Sequence, residues 1–492
     1  MSDHRTLGGP RLARRIPLLA SVAIPFAVAT FGGAKEARAQ AWLRDRSYQE
    51  GIGVRVGDSE LHPGVGAEVG YDSNWYARSH KDPPAGQVLA NGGVREAGTL
   101  RVTPSLTIQS LGPQRLGQAA PSFSYRGSVA GTYREFFGTE VNAERNMNVH
   151  AFFRGDVLPG RPVGVGFFGG YQRMVQPSAI PAGAGGLTFD RSDLNAGAEV
   201  IVIPGQGTLD LHLGYQFFGA LYENTGATSL SNLTHEVSFK NRWKFRPKTA
   251  LFTETSVQFV SYPNSDRSIL TLNDAVPVRT RAGVTGLVLP RLSVVGALGY
   301  SATFLAGGGL NQTSQFDSIN AQAEATIYLT GAAAPDPTQA VTAVSTLTLG
   351  YSRDVLTGSA QSFANKPTYL YGGGQNTVLG SYTGLDKIYG RLSYMFAGRA
   401  ILALDGFVDI LTLPALFDAN GATVAGTAGG FSNLRPGASL FGEYRFVDSF
   451  GLNLTVDYAQ QISDVVVPVG GNQVFDLNNR RVQASLGARW FM

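Results

Sequence analysis

The stretch Thr99–Gln109, TLRVTPSLTIQ, puts Leu100, Val102, Leu106 and Ile108 on one parity and Arg101, Thr103, Ser105, Thr107 and Gln109 on the other. A strand sends alternate side chains to opposite faces, so this stretch predicts a strand with one face for an apolar medium and one for water. The pattern returns in FSYRGSVAGTYR, where Phe123, Tyr125, Val129 and Tyr133 alternate with Ser124, Arg126, Ser128, Thr132 and Arg134. It returns again in TLDLHLGYQF, in NAQAEATIYL and in GLNLTVDYAQ.

Followed along the chain, the alternation predicts strands at 63–71, 97–109, 121–135, 146–156, 161–174, 191–203, 207–220, 232–246 and 249–261. It continues at 277–289, 291–304, 317–329, 340–353, 384–397, 399–411, 432–446, 449–461 and 480–492. Each strand is near or above the roughly 9–11 residues that cross a bilayer, and an even number is what bacterial single-chain barrels have. The expectation is an all-β fold, a transmembrane antiparallel up-and-down β-barrel of about 18 strands, occupying 63–492.

The connections support this arrangement. Leu158-Pro159-Gly160, Pro204-Gly205-Gln206, Arg246-Pro247-Lys248, Pro290-Arg291 and Ala397-Gly398 are tight turns, and they interleave with longer loops at 72–96, 175–190, 262–276, 354–383, 412–431 and 462–479. Aromatics fall at both ends of the apolar row. Tyr133, Tyr171, Phe217, Phe259, Phe304, Tyr351 and Tyr458 mark one end; Trp243, Phe245, Tyr394, Phe396, Tyr444, Phe446 and Trp490 mark the other. Amphipathic rings settle at headgroup level, so these rows read as two interfacial girdles. A secreted sandwich or solenoid would not place aromatics by strand direction.

Composition agrees. The 492 residues include 62 Gly, 10% aromatics and only 15% charged residues, and Cys is absent. A disulfide framework, a thiolate metal site and a thiol nucleophile are thereby excluded. Residues 1–39 read as a secretory signal: a basic start ending at Arg14-Arg15, the apolar run IPLLASVAIPFAVATF, and a small-residue exit with cleavage near Ala39. Residues 40–62 read as a periplasmic N-terminal segment, with an extra strand or a tuck inside the lumen as alternatives. The net charge of +4 resides in that signal, which holds Arg5, Arg11, Arg14, Arg15, Lys35 and Arg38 against Asp3 and Glu36. The remaining chain is balanced, so global charge gives no ground for a nucleic-acid partner.

Two segments carry a family resemblance. ASLGARWFM, with Leu486, Ala488, Trp490 and Met492 on one parity and Phe491 penultimate, resembles the carboxy-terminal strand by which the assembly machinery recognises bacterial barrels. Leu486, Trp490, Phe491 and Met492 are therefore the candidate assembly signal. Residues 51–79 resemble the start of the bacterial porins often called the second β-barrel porin family, through Gly53-x-Arg55-x-Gly57, Leu61-x-Pro63 and Gly70-Tyr71-Asp72-Ser73-Asn74. The resemblance implies an outer-membrane barrel. Through similar barrels of exopolysaccharide export clusters, it also implies a glycan route with a periplasmic export partner.

Parity also selects candidate pore-lining residues. Lys240, Arg242, Lys244 and Arg246 share the watery face of VSFKNRWKFRPK, whereas Val237, Phe239, Trp243 and Phe245 share the apolar one, with Asn241 the exception. Arg279, Arg281, Lys387 and Arg391 join them, as do Arg101, Arg126, Arg134, Arg154, Arg435, Arg445, Arg481 and Arg489. The inward acids read from the sequence are Glu199, Asp210, Glu236, Glu254, Glu324, Asp405, Asp409, Glu443 and Asp457. The expected lumen leans basic, suited to a hydrophilic, anionic solute or glycan. Of the histidines, His150 and His212 read as lumen lining. Neither a metal-ligand spacing nor a catalytic constellation stands out, so a cofactor-free, non-enzymatic channel is expected, with outer-membrane lipid as its solvent. Three functions follow: secretion of an extracellular or capsular polysaccharide, general or anion-preferring diffusion, and a structural or adhesive barrel with functional loops.

Overall fold

The computed structural model describes residues 51–492 apart from 52, 90–91, 112–120, 139–140, 142–144, 176–189, 224–230, 265–273, 306–314, 330–344, 358–381, 397–398, 414–428 and 471. The proposed signal at 1–39 and the turn at Ala397-Gly398 lie outside the described residues.

The barrel strands are β1 (Ser59–Asp72), β2 (Ala97–Ser110), β3 (Phe123–Phe137), β4 (Asn146–Val157), β5 (Val163–Met174), β6 (Arg191–Val202), β7 (Leu209–Tyr222), β8 (Asn232–Arg246) and β9 (Thr249–Ser261). They continue as β10 (Ala275–Leu289), β11 (Leu292–Leu305), β12 (Gln315–Tyr328), β13 (Thr346–Thr357), β14 (Tyr382–Phe396), β15 (Ala400–Leu413), β16 (Phe431–Val447), β17 (Phe450–Gln461) and β18 (Asn479–Phe491). Each pairs antiparallel with its chain neighbours, and β18 returns to β1 in the register Gly64↔Phe491 through Asp72↔Gln483. The result is a closed barrel of 18 strands. With strands about 4.8 Å apart and tilted by about 40°, such a ring is roughly 35 Å across its backbone.

Side-chain exposure settles which face is which. On the apolar parity Leu298 is 68% exposed and Ile319 62%, whereas on the other parity Thr303 and Asn320 are each 2% exposed. Apolar residues therefore coat the outside and polar ones line the inside. The aromatic rows occupy the outer face at both ends, with the tilted pairs Trp243–Phe245 and Tyr394–Phe396 and the edge-to-face pair Tyr444–Phe446 at the tight-turn end. At the long-loop end several outward tyrosines donate to carboxylates, Tyr300 to Asp317 and Tyr351 to Asp386, both at 2.6 Å.

Three boundaries differ instructively from the alternation. β1 starts at Ser59, before the expected 63, so Glu60 and His62 are already on the lumen wall, and Val54–Val56 pairs back onto Ser59–Leu61 as a short extra strand. Gly53, at φ +78°, is pressed against Glu60 and His62; a Cβ there would lie 2.5 Å from the His62 ring. Part of the segment before the barrel thus lies on the inner wall. β13 is described over 346–357 and so continues past the expected end at 353, where its pairing with β14 carries on to Thr357↔Tyr382, while the expected start at 340–344 lies outside the described residues.

The closing strand is pinned from inside. Phe491 faces inward at 4% exposure, with the Arg445 guanidinium carbon 4.2 Å from its ring centre, while Leu486, Trp490 and Met492 stay exposed outside. The candidate assembly residues are thus split between the two faces. Glu443, whose side chain is 0% exposed, accepts from Arg445 at 3.2 Å and from Arg489 of β18 at 2.8 Å. At the other end of the seam Val88–Leu89, Val466–Gly470 and Gln473–Asp476 form a small sheet across the loops, and Ser79 donates to Asp476 at 2.6 Å.

Two substitutions test this frame. Glu443→Ala removes one acceptor from two arginines, and is expected to lower stability by about 3 kcal/mol in a urea titration of the lipid-reconstituted barrel. Asn241 faces outward beside Thr253 with a buried Oδ1 that has no hydrogen-bond partner. Asn241→Leu is expected to raise stability by about 1–2 kcal/mol in the same titration, since it removes an unsatisfied polar group from the apolar row.

Candidate functional site: the lumen wall

Closure turns one parity of every strand into a single inner surface, and its polar side chains find partners across strands. Arg281 of β10 donates to Glu254 of β9 at 2.7 Å and to Gln322 of β12 at 3.0 Å. Arg279 reaches past β11 and β12 to Asp354 of β13 at 2.5 Å. Lys387 and Arg435 share Asp409 at 3.9 and 3.6 Å, and Arg391 meets Asp405 at 3.1 Å. Arg154 bridges Asp156 and Glu199, and His212 sits between Glu199 at 3.2 Å and Asp210 at 2.9 Å. His212 is thus part of the lining, as expected from its parity.

This pairing corrects the expected charge balance. Glu60, Glu68, Asp72, Asp156, Asp193 and Asp354 also face the lumen, against one further cation, Arg191, which pairs with Asp193 at 2.8 Å. The wall as a whole is therefore close to neutral. Glu60, Asp72 and Asp354 lie just beyond the strand limits that the alternation predicts, whereas Glu68, Asp156 and Asp193 lie within predicted strands and share the inward parity. Of the eight candidate pore residues, Arg279, Arg281, Lys387 and Arg391 are held by carboxylates.

Lys240 and Lys244 behave differently. Lys240, Arg242 and Lys244 descend the inner face of β8 toward the tight turn at Pro247, but the expected inward position of Arg246 is not met: a bulge after Trp243 pairs it with Thr249 on the outward parity of β9, and its guanidinium carbon lies 6.0 Å from the Phe245 ring centre. Among the described residues Lys240 and Lys244 make no ion pair, and Lys240 is exposed to the lumen. The nearest acids by register are Glu254, opposite Lys240, and Asp210, opposite Arg242. Both are engaged elsewhere, Glu254 by Arg281 and Asp210 by His212. A bulge between Trp243 and Arg246 then turns the strand end. Fixed cations along a wetted wall favour anions nearby.

The lining also holds aromatic rings that the polar reading missed. Tyr389 lies on Gly350 of β13, where a Cβ would sit 2.3 Å from the ring, and its hydroxyl donates to Glu324 at 2.6 Å. Phe407 lies likewise on Gly437, with the Lys387 ammonium 4.7 Å from its ring centre. Only glycine admits a ring so close to the neighbouring backbone, which accounts for inward glycines on these strands. A Gly and an aromatic at matched register were the available sequence signal.

No family model matches this sequence, and no curated protein matches it. Among solved structures, the chain is similar to OccK5 (OpdH) of Pseudomonas aeruginosa, with 9% identity, a TM-score of 0.41, and 88% of this chain and 98% of that one covered. It is similar to OccAB4 of Acinetobacter baumannii, with 10% identity, a TM-score of 0.39 and coverage of 88% and 98%. It is also similar to the siderophore receptor PirA from Pseudomonas aeruginosa, with 9% identity, a TM-score of 0.37 and coverage of 87% and 80%. Scores this low carry nothing further; the barrel rests on its own strand pairing. Among the described residues no group of three His, Asp or Glu side chains could hold a metal ion.

The inner charge pattern predicts a position-dependent response. Neutralising the β8 stave by Lys240→Gln and Lys244→Gln together is expected to move the zero-current potential in a potassium chloride gradient toward cation preference. Arg391→Gln with Asp405→Asn, which removes both members of a pair, is expected to leave that potential within a few millivolts of wild type.

Proposed function

We propose that this protein is a passive channel of the bacterial outer membrane for small hydrophilic solutes, with an anion preference set locally by the β8 stave. The observation that carries the reading is a closed ring of eighteen strands with an apolar, aromatic-bordered outside and an ionic, hydrogen-bonded inside. Barrels of that strand number are wide enough for an aqueous path. A lipid-facing exterior with girdles at both ends supports placement in a bilayer. The tight-turn end, which holds the carboxy terminus, is assigned to the periplasm and the long-loop end to the outside.

Secretion of a polysaccharide with a periplasmic export partner rests on the resemblance of residues 51–79 alone. No feature of the lumen favours a glycan over small ions, so diffusion is the better-supported reading. Assembly by the barrel machinery through Leu486, Trp490, Phe491 and Met492 belongs to the same proposal, with Phe491 acting from the inner face.

Purified protein in planar bilayers is expected to give ohmic conductance steps with chloride favoured over potassium. A barrel that inserts without conducting would overturn the channel, and potassium preference would overturn the anion preference. Deleting the gene is expected to leave surface polysaccharide intact while slowing uptake of small anions; loss of the polysaccharide alone would restore the secretion reading.

A further inference from the structure

At the long-loop end of the lumen, beside the seam, lies a recess of ≈ 230 Å³ whose lining includes Trp75, Arg101, Arg134, Phe136, Asp457 and Arg481. Two of its arginines are already neutralised. Arg481 is held by Asp72 through Nε at 3.0 Å and Nη2 at 2.5 Å, and Arg101 meets Glu68 at 3.1 Å while donating to Ser485 at 2.7 Å.

Arg134 is not. It stands directly opposite Arg101 in the β2–β3 register, makes no ion pair or hydrogen bond among the described residues, and keeps its Nε buried without an acceptor. Trp75 adds a second donor in the same state. It is 4% exposed, its ring centre lies 4.4 Å from that of Phe136 and 5.2 Å from the Arg481 guanidinium carbon, and its Nε1 is buried with no acceptor. The remaining acid, Asp457, belongs to β17, with β18, β1 and β2 between it and β3.

Buried donors in native structures are nearly always satisfied, and a guanidinium beside another guanidinium lacks a carboxylate more than anything else. The charges around the recess balance, Arg101, Arg134 and Arg481 against Glu68, Asp72 and Asp457, but the donors of Arg134 and Trp75 are unmet, and Arg, with its planar fork, matches a carboxylate bidentately. We propose that the recess is a binding subsite for the carboxylate of a small organic acid, filled before the solute descends the lumen. The proposal rests on the channel reading for its biological sense but not for its test.

The test is calorimetric titration of the detergent-solubilised full chain with sodium succinate, with succinamide and inorganic phosphate as controls. Wild type is expected to bind succinate and not succinamide, and Arg134→Gln to weaken it at least tenfold. Trp75→Phe, which keeps the ring and removes its N–H, is expected to weaken it several-fold and serves should Arg134→Gln fail to fold. No succinate binding, equal affinity in both variants, or phosphate bound as tightly as succinate would overturn the subsite. Bilayer recordings separate the two ideas: conduction without succinate binding removes the subsite and keeps the channel, and binding without conduction does the reverse.

Discussion

Everything in this molecule depends on the pairing of β1 with β18. An open sheet in an apolar medium would leave two edges of unpaired N–H and C=O groups, each costing several kcal/mol, and closure removes both at once. The register Gly64↔Phe491 to Asp72↔Gln483 supplies those bonds, and the lining reinforces them from within. Glu443 ties Arg489 of the last strand to Arg445 of β16, and Asp72 of the first strand takes Arg481 of the last. Side chains that look like pore charges are thus part of what keeps the ring shut.

Closure also converts a one-dimensional period into a two-dimensional surface, and this explains what the sequence could and could not reveal. The alternation in Thr99–Gln109 and its repeats located every barrel strand, because a strand wet on one face only must alternate wherever it occurs. It located ends less well: β1 begins before and β13 runs beyond the alternation, because hydrogen bonding to neighbouring strands, which the local pattern does not encode, extends them. The expected signal at 1–39 lies outside the described residues.

Charge compensation was the least legible feature. Parity told correctly that Arg279, Arg281, Lys387 and Arg391 face inward, but whether each is neutralised depends on residues one to three strands away. Arg279 and Asp354 are separated by two intervening strands, and no spacing in the chain announces their contact. The same holds for Tyr389 over Gly350, where a ring on one strand needs the missing side chain of another. A count of inward cations therefore overstated the basicity of the wall.

What survives compensation is more informative than the count. The carboxylates nearest the β8 stave are drawn away by partners with better geometry, Glu254 by a guanidinium on one side and Asp210 by an imidazole on the other. Lys240 and Lys244 are point charges on flexible stems, so they lose little by remaining hydrated, whereas Arg281 gains a directed hydrogen bond to Glu254 and a second to Gln322. Competition for acids thus favours the arginines and leaves the lysine-rich strand end uncovered. Arg134 is left uncovered at the opposite mouth for a different reason, since Glu68 of β1 is taken by its own neighbour Arg101. The uncompensated donors of the inner wall thus gather toward its two ends, at Lys240 and Lys244 on the side of the tight turns and at Arg134 on the side of the long loops, with carboxylate-paired arginines such as Arg281 and Arg391 on the wall elsewhere.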